Sequence, residues 1–145
     1  MTGPRTIDAV LADARSRLAR LTPDEAHLAV GGGAVLVDIR PDRQRLVEGE
    51  VPSSLLVERN VLEWRFDPSS GARLPDAHHD LQVIVLCSEG YTSSLAAAAL
   101  QDLGIHRATD VVGGFRAWRA AGLPTAPGGL LDHEDVAPGA RRLDP

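Results

Sequence analysis

The chain has 145 residues, 20 acidic and 15 basic side chains, a formal net charge of −5 and one cysteine. That length is one domain, able to bury about 70% of its unfolded surface, and the charge leaves no broad basic face for nucleic acid. A single cysteine excludes an internal disulfide and a cysteine-rich zinc site, and because every basic side chain is arginine, lysine chemistry is excluded as well.

The absence of lysine reads as a compositional bias of a bacterial source. The first residues, MTGPRTIDAVLADAR, hold no apolar core of signal-peptide length. No apolar run approaches the ~20 residues of a membrane span. The expected compartment is a reducing cytoplasm, where a lone thiol can act as a nucleophile.

In residues 6–21, Ile7, Val10, Leu11, Ala14, Leu18 and Leu21 recur at three- and four-residue spacing. This predicts a helix with Asp8, Asp13, Arg15 and Arg20 on the opposite face. Thr22-Pro23-Asp24-Glu25 predicts a second helix start, with Thr22 as N-cap, Pro23 at the first position and Glu25 closing a capping box. That helix runs to about residue 30, where three glycines end it. Residues 34–39 (AVLVDI) form a nearly continuous apolar run, as in a strand covered on both faces.

Residues 41–50 read as a polar loop with a turn of helix, 55–57 as a strand, and 61–66 as a short helix capped by Asn60. Residues 67–77 are a surface connection. The strand at 83–86 runs into Cys87; a loop with one glycine and an alanine-rich helix at 92–103 follow. A last strand covers 108–112, and Gly113-Gly114 leads into a helix at 115–121 that Gly122 and Pro124 stop. His78-His79 reads as solvated loop, because neighbouring side chains project in different directions; no metal and no cofactor is expected. Residues 125–145 read as an extended or disordered tail.

Strands alternating with helices define an α/β fold with a mostly parallel sheet and helices on both faces. Reactive groups then gather outside the carboxyl ends of the strands. Cys87 stands at one such end, Asp38 and Arg40 at another. The thiol lies where backbone N–H groups meet the positive end of a helix, which contributes up to about 2 kcal/mol toward a bound anion. Such a place makes a cysteine reactive rather than merely buried.

An ordered set of motifs resembles the rhodanese-like sulfurtransferases. VLVDIR (35–40) resembles the family's strand ending in Asp-x-Arg. GEVPSS (49–54) resembles its Gly-His-Ile-Pro-Gly-Ala signature. Val85-Leu86-Cys87 and a loop closing at Ser93 resemble the active-site loop. VVGGF (111–115) with Trp118 and Gly122-Leu123-Pro124 resembles the closing signatures. The resemblance covers about 21–124 and implies a three-layer rhodanese-like fold with a five-stranded sheet. Residues 1–20 then add an extra helix packed on the domain.

The resemblance also implies a chemistry. Cys87 takes sulfane sulfur as a persulfide from thiosulfate, mercaptopyruvate, or a low-molecular-weight or protein persulfide, and passes it to a thiol or cyanide. The implied loop is Ser88, Glu89, Gly90, Tyr91, Thr92 and Ser93. Its backbone N–H groups and the hydroxyls of Ser88, Thr92 and Ser93 would hold the sulfur, with Glu89 turned to solvent. The partners implied are a small-molecule donor and a thiol acceptor, or a partner protein, for a monomer or homodimer without nucleic acid or membrane.

Three departures qualify this reading. Glu50 stands where the family carries His, and Ser88 and Thr92 stand where thiosulfate-using members carry Arg. Cations must then come from Arg40, Arg59 or Arg65 if a dianion is to bind, with Asp38 and Arg40 read chiefly as loop supports. Phosphatase chemistry is disfavoured, because the residue six beyond Cys87 is Ser93, not the arginine that clamps an oxyanion bidentately. The alternative is a catalytically weak binding or sulfur-sensing module.

Overall fold

The computed structural model describes residues 3–129. Helix α1 (Ile7–Ser16) starts at Thr6, whose hydroxyl accepts the Ala9 N–H. It buries Leu11 and Ala14, while Ile7 is 65% exposed. The helix stops at Ser16, earlier than the periodicity predicts, and Leu21 instead makes a parallel bridge with Val111. Helix α2 (Pro23–Gly31) forms with both halves of the Thr22–Glu25 capping box in place.

Strands β1 (Val35–Asp38), β2 (Leu55–Leu56), β3 (Val83–Leu86) and β4 (Thr109–Asp110) pair in the order β2-β1-β3-β4, all parallel. The described residues thus form four strands, not the five implied by resemblance. Leu21 holds the outer position with a single bridge. The helix α2 begins two residues later at Pro23, whose nitrogen carries no hydrogen to extend a ladder.

Side-chain alternation feeds two cores. Val37, Val83 and Val85 face Leu62, Phe66, Ala96, Ala97 and Leu100. Leu36, Ile84 and Leu86 face Ala26, Val111, Phe115 and Trp118. Helices α4 (Leu62–Phe66) and α5 (Thr92–Asp102) lie on the first side, and α2 and α6 (Gly114–Ala120) on the second. Trp118 is fully buried, and its ring N–H donates to the Pro124 carbonyl at 2.9 Å.

Two local readings change. Residues 42–48 form a complete short helix, α3 (Asp42–Glu48), rather than a loop with one turn. Asn60 caps nothing: it lies inside a 3₁₀ turn, Arg59–Val61, and Val61 precedes α4 without a side-chain cap bond. The tail begins paired, since Ala126 and Glu50 exchange backbone hydrogen bonds of 2.8 and 2.9 Å. Residues 130–145 lie outside the described residues, and most of the tail reading lies there with them. Among the described residues no helix is long and apolar enough to cross a membrane, and no group of three or more His, Cys, Asp or Glu is placed to hold a metal. His78 and His79 are exposed.

Candidate active site

Parallel register brings the site together. Asp38 pairs with Leu86 across β1 and β3, so the residues after each strand emerge side by side. Cys87 follows β3 directly and is 4% exposed. Its Sγ accepts the Gly90 N–H at 3.2 Å. Helix α5 begins at Thr92, and Tyr91 before it supplies no side-chain cap. Ser94 N–H donates to the Tyr91 carbonyl at 3.1 Å, while the Thr92 and Ser93 N–H groups donate to no group among the described residues and remain available to an anion.

The loop is fixed from beneath by α6. Phe115 N–H donates to the Cys87 carbonyl at 2.8 Å and Arg116 N–H to the Ser88 carbonyl at 3.1 Å. Both contacts need Gly113 and Gly114, which take φ of +77° and +61°. A Cβ at Gly114 would stand 2.5 Å from the Cys87 carbonyl oxygen, and one at Gly90 would stand 2.8 Å from the Gly113 nitrogen. The paired glycines and the loop glycine are one packing requirement seen from its two sides.

Hydroxyl directions differ from those expected. Ser88 Oγ donates to Glu48, at 2.7 Å from Oε2, and Ser93 Oγ donates to Asp110 Oδ2 at 2.7 Å. Each hydroxyl has one hydrogen, so neither is free to hold a persulfide. Of the three, Thr92 alone keeps its hydroxyl without a hydrogen bond to the described residues. Glu89 is exposed, with its carboxylate 3.4 Å from Arg116.

The four implicated charged residues divide. Arg40 is 2% exposed and lies 4.2 Å from the centroid of Phe115. Its guanidinium donates to both Asp38 oxygens, to Glu48 at 3.1 Å and to the Gly49 carbonyl at 2.9 Å. Asp38 and Arg40 thus hold the wall of the site, with the positive charge matched by two carboxylates. Arg59 pairs with Glu63 one helical turn on, at 2.8 Å. Arg65 is buried and donates to the Ala72 carbonyl, and burial pulls its guanidinium down from its ordinary value. Neither Arg59 nor Arg65 lines the cavity over Cys87.

That cavity holds about 210 Å³. Beyond the Cys87 loop, Ile39, Arg40, Pro41 and Gln44 line it, with Tyr91 at 60% exposure on the rim. The volume is below the roughly 300–1,000 Å³ of ordinary drug-sized pockets.

Glu48 is a site residue that sequence reasoning missed. It binds Ser88, Arg40 and Arg116 at once. Burial pushes its carboxyl up, but the Ser88 hydrogen bond and the Arg40 and Arg116 contacts outweigh it and hold the group below its ordinary 4.5. A depressed carboxyl contributes stability that is present above the unfolded value and lost as pH falls through the folded one. Thermal melts should therefore show the wild type losing its advantage over Glu48→Gln as pH drops below 4.5. A constant gap across that range would contradict the contact set.

Residues 22–121 match the Rhodanese-like domain family. The thiosulfate sulfurtransferase GlpE of Stutzerimonas stutzeri (strain A1501) is 34% identical over 100 residues, covering 69% of this chain and 84% of the relative. A solved protein of unknown function from Rhodopseudomonas palustris CGA009, described as a possible tyrosine phosphatase, is 36% identical with a TM-score of 0.77, covering 86% of this chain and 97% of that one. The polysulfide-sulfur transferase homodimer of Wolinella succinogenes is 21% identical with a TM-score of 0.66, covering 86% of this chain and 90% of that one, and speaks for the fold alone. The chain belongs to the rhodanese-like family. Its enzyme class is that of the rhodanese-type sulfurtransferases.

Proposed function

We propose that Cys87 carries sulfane sulfur as a persulfide between a small donor and a thiol or cyanide acceptor. The observation that carries this reading is the Gly90 N–H aimed at Sγ from 3.2 Å, within a loop that opens onto the start of α5. In the first step the Cys87 thiolate attacks the outer sulfur of thiosulfate. The new S–S bond forms, the old one breaks, and sulfite leaves with its electron pair. In the second step the acceptor attacks the outer persulfide sulfur and Cys87 departs as thiolate.

Donor choice follows from the mouth. Arg40 is matched by Asp38 and Glu48, and Arg116 by Glu48 and Glu89. A dianion meets little unmatched positive charge there, so mercaptopyruvate or a persulfide suits the rim better than thiosulfate. The same balance favours the second reading, a weak binding or sensing module, if turnover is absent. A steady-state panel of thiosulfate, mercaptopyruvate and glutathione persulfide with cyanide or thiol acceptors decides. Turnover of at least one donor is expected; none with any donor would leave the binding module.

Thr92→Arg is expected to raise kcat/KM for thiosulfate about tenfold, the worth of one charge-assisted hydrogen bond. Ser88→Arg should do less, because Glu48 would take its charge. Initial rates on the two variants check the order.

A further inference from the structure

The loop is also gripped by residues that precede the family match, which begins at residue 22. Arg15 of α1 donates to the Gly90 carbonyl at 2.7 Å and to Ser94 Oγ at 3.1 Å. Arg20 donates to the same carbonyl at 3.0 Å while holding Asp110 at 2.8 Å. Asp110 is fully buried and also accepts from Ser93 and Ser94. Two guanidinium groups thus converge on one carbonyl oxygen of the loop that carries Cys87. Arg15 makes no ion pair within the described residues; its other neighbour is the Tyr91 ring, 5.5 Å away.

A trans peptide is planar, with its C=O and N–H pointing opposite ways. Holding the Gly90 oxygen toward α1 therefore turns the Tyr91 N–H away from α1. That N–H donates to no group among the described residues. We infer that Arg15 and Arg20 are positioning residues for sulfur transfer: together they aim the Tyr91 N–H at the anion held on Cys87, and Arg15, which has no carboxylate partner among the described residues, supplies positive field that Ser88 and Thr92 do not. This inference rests on the persulfide reading. Arg15 is the better probe, since removing Arg20 strands the buried Asp110.

The test compares alkylation of Cys87 by iodoacetate, an anion, with alkylation by neutral iodoacetamide. Both reagents consume the same thiolate, so their rate ratio reads the field and not the thiolate fraction. Arg15→Gln should lower the iodoacetate-to-iodoacetamide ratio about fivefold at low salt, an effect that added salt removes. Arg15→Lys should restore the ratio but not the rate of sulfur loading from thiosulfate, because an ammonium lacks the planar fork. Sulfur loading in Arg15→Gln should fall about tenfold in kcat/KM. An unchanged ratio in Arg15→Gln, whether or not the melting temperature moves, would overturn the inference and leave α1 as a structural brace. A lowered ratio in a protein that loads no sulfur would leave the field standing and remove the persulfide reading.

Discussion

Cys87→Ala is expected to bring sulfur transfer down to the rate of protein-free solution while leaving the fold intact. The thiol is the only one in the chain, and no neighbouring group offers a second sulfur nucleophile. Cys87 is buried among Ile39, Val57 and Ala96, so losing one sulfur atom resembles removing a methyl from a core. That costs about 1 kcal/mol, or roughly 2–4 °C in a domain of this size. Steady-state rates and a thermal melt on the same sample check both halves. Retained turnover would place the chemistry elsewhere.

Gly114→Ala is expected to be the one-methyl change most damaging to the Cys87 loop. The new Cβ would fall 2.5 Å from the Cys87 carbonyl oxygen, 2.7 Å from the Ser88 carbonyl carbon and 2.8 Å from the Glu89 nitrogen. All three are backbone atoms of the active loop, so no rotamer change relieves the clash. A left-handed backbone, φ +61°, adds its own penalty for alanine. Together these cost about 3 kcal/mol. Because the loop must shift, kcat should fall about a hundredfold, as a misplacement near 1 Å does elsewhere. Gly122→Ala is the control: φ is +75° but nothing stands within 4 Å. It should cost about 1 kcal/mol and leave kcat unchanged. Equal effects in both variants would show that backbone conformation, not the loop contact, dominates.

The centre of the site is readable in the sequence because it is local. The apolar run into Cys87, the turn at Gly90 and the alanine-rich helix lie within twenty residues, and each carries its own periodicity. The same holds for the Thr22–Glu25 capping box, which acts over one helical turn. What the sequence hides is which long-range partner takes each polar group. Ser88 and Ser93 look like donors to a persulfide until Glu48 and Asp110, 40 and 17 residues away, claim their hydrogens. Arg15 and Arg20 look like the wet face of a helix, yet they cross 75 and 70 residues to the Gly90 carbonyl. Arg59 follows the opposite course: near the carboxyl end of a strand, it is drawn to Glu63 in the next turn. The fifth strand fails for a local reason, the proline at position 23. Backbone periodicity thus specifies the frame, and side-chain pairing across distant elements specifies the electrostatics.

Intact-mass spectrometry of the purified protein after treatment with a sulfane donor tests the persulfide on Cys87 most directly. The expected result is a single adduct of about 32 Da, one sulfur transferred by thiolate attack, removed by cyanide and missing from Cys87→Ala. No adduct with thiosulfate, mercaptopyruvate or glutathione persulfide, or an adduct that persists in Cys87→Ala, would contradict it.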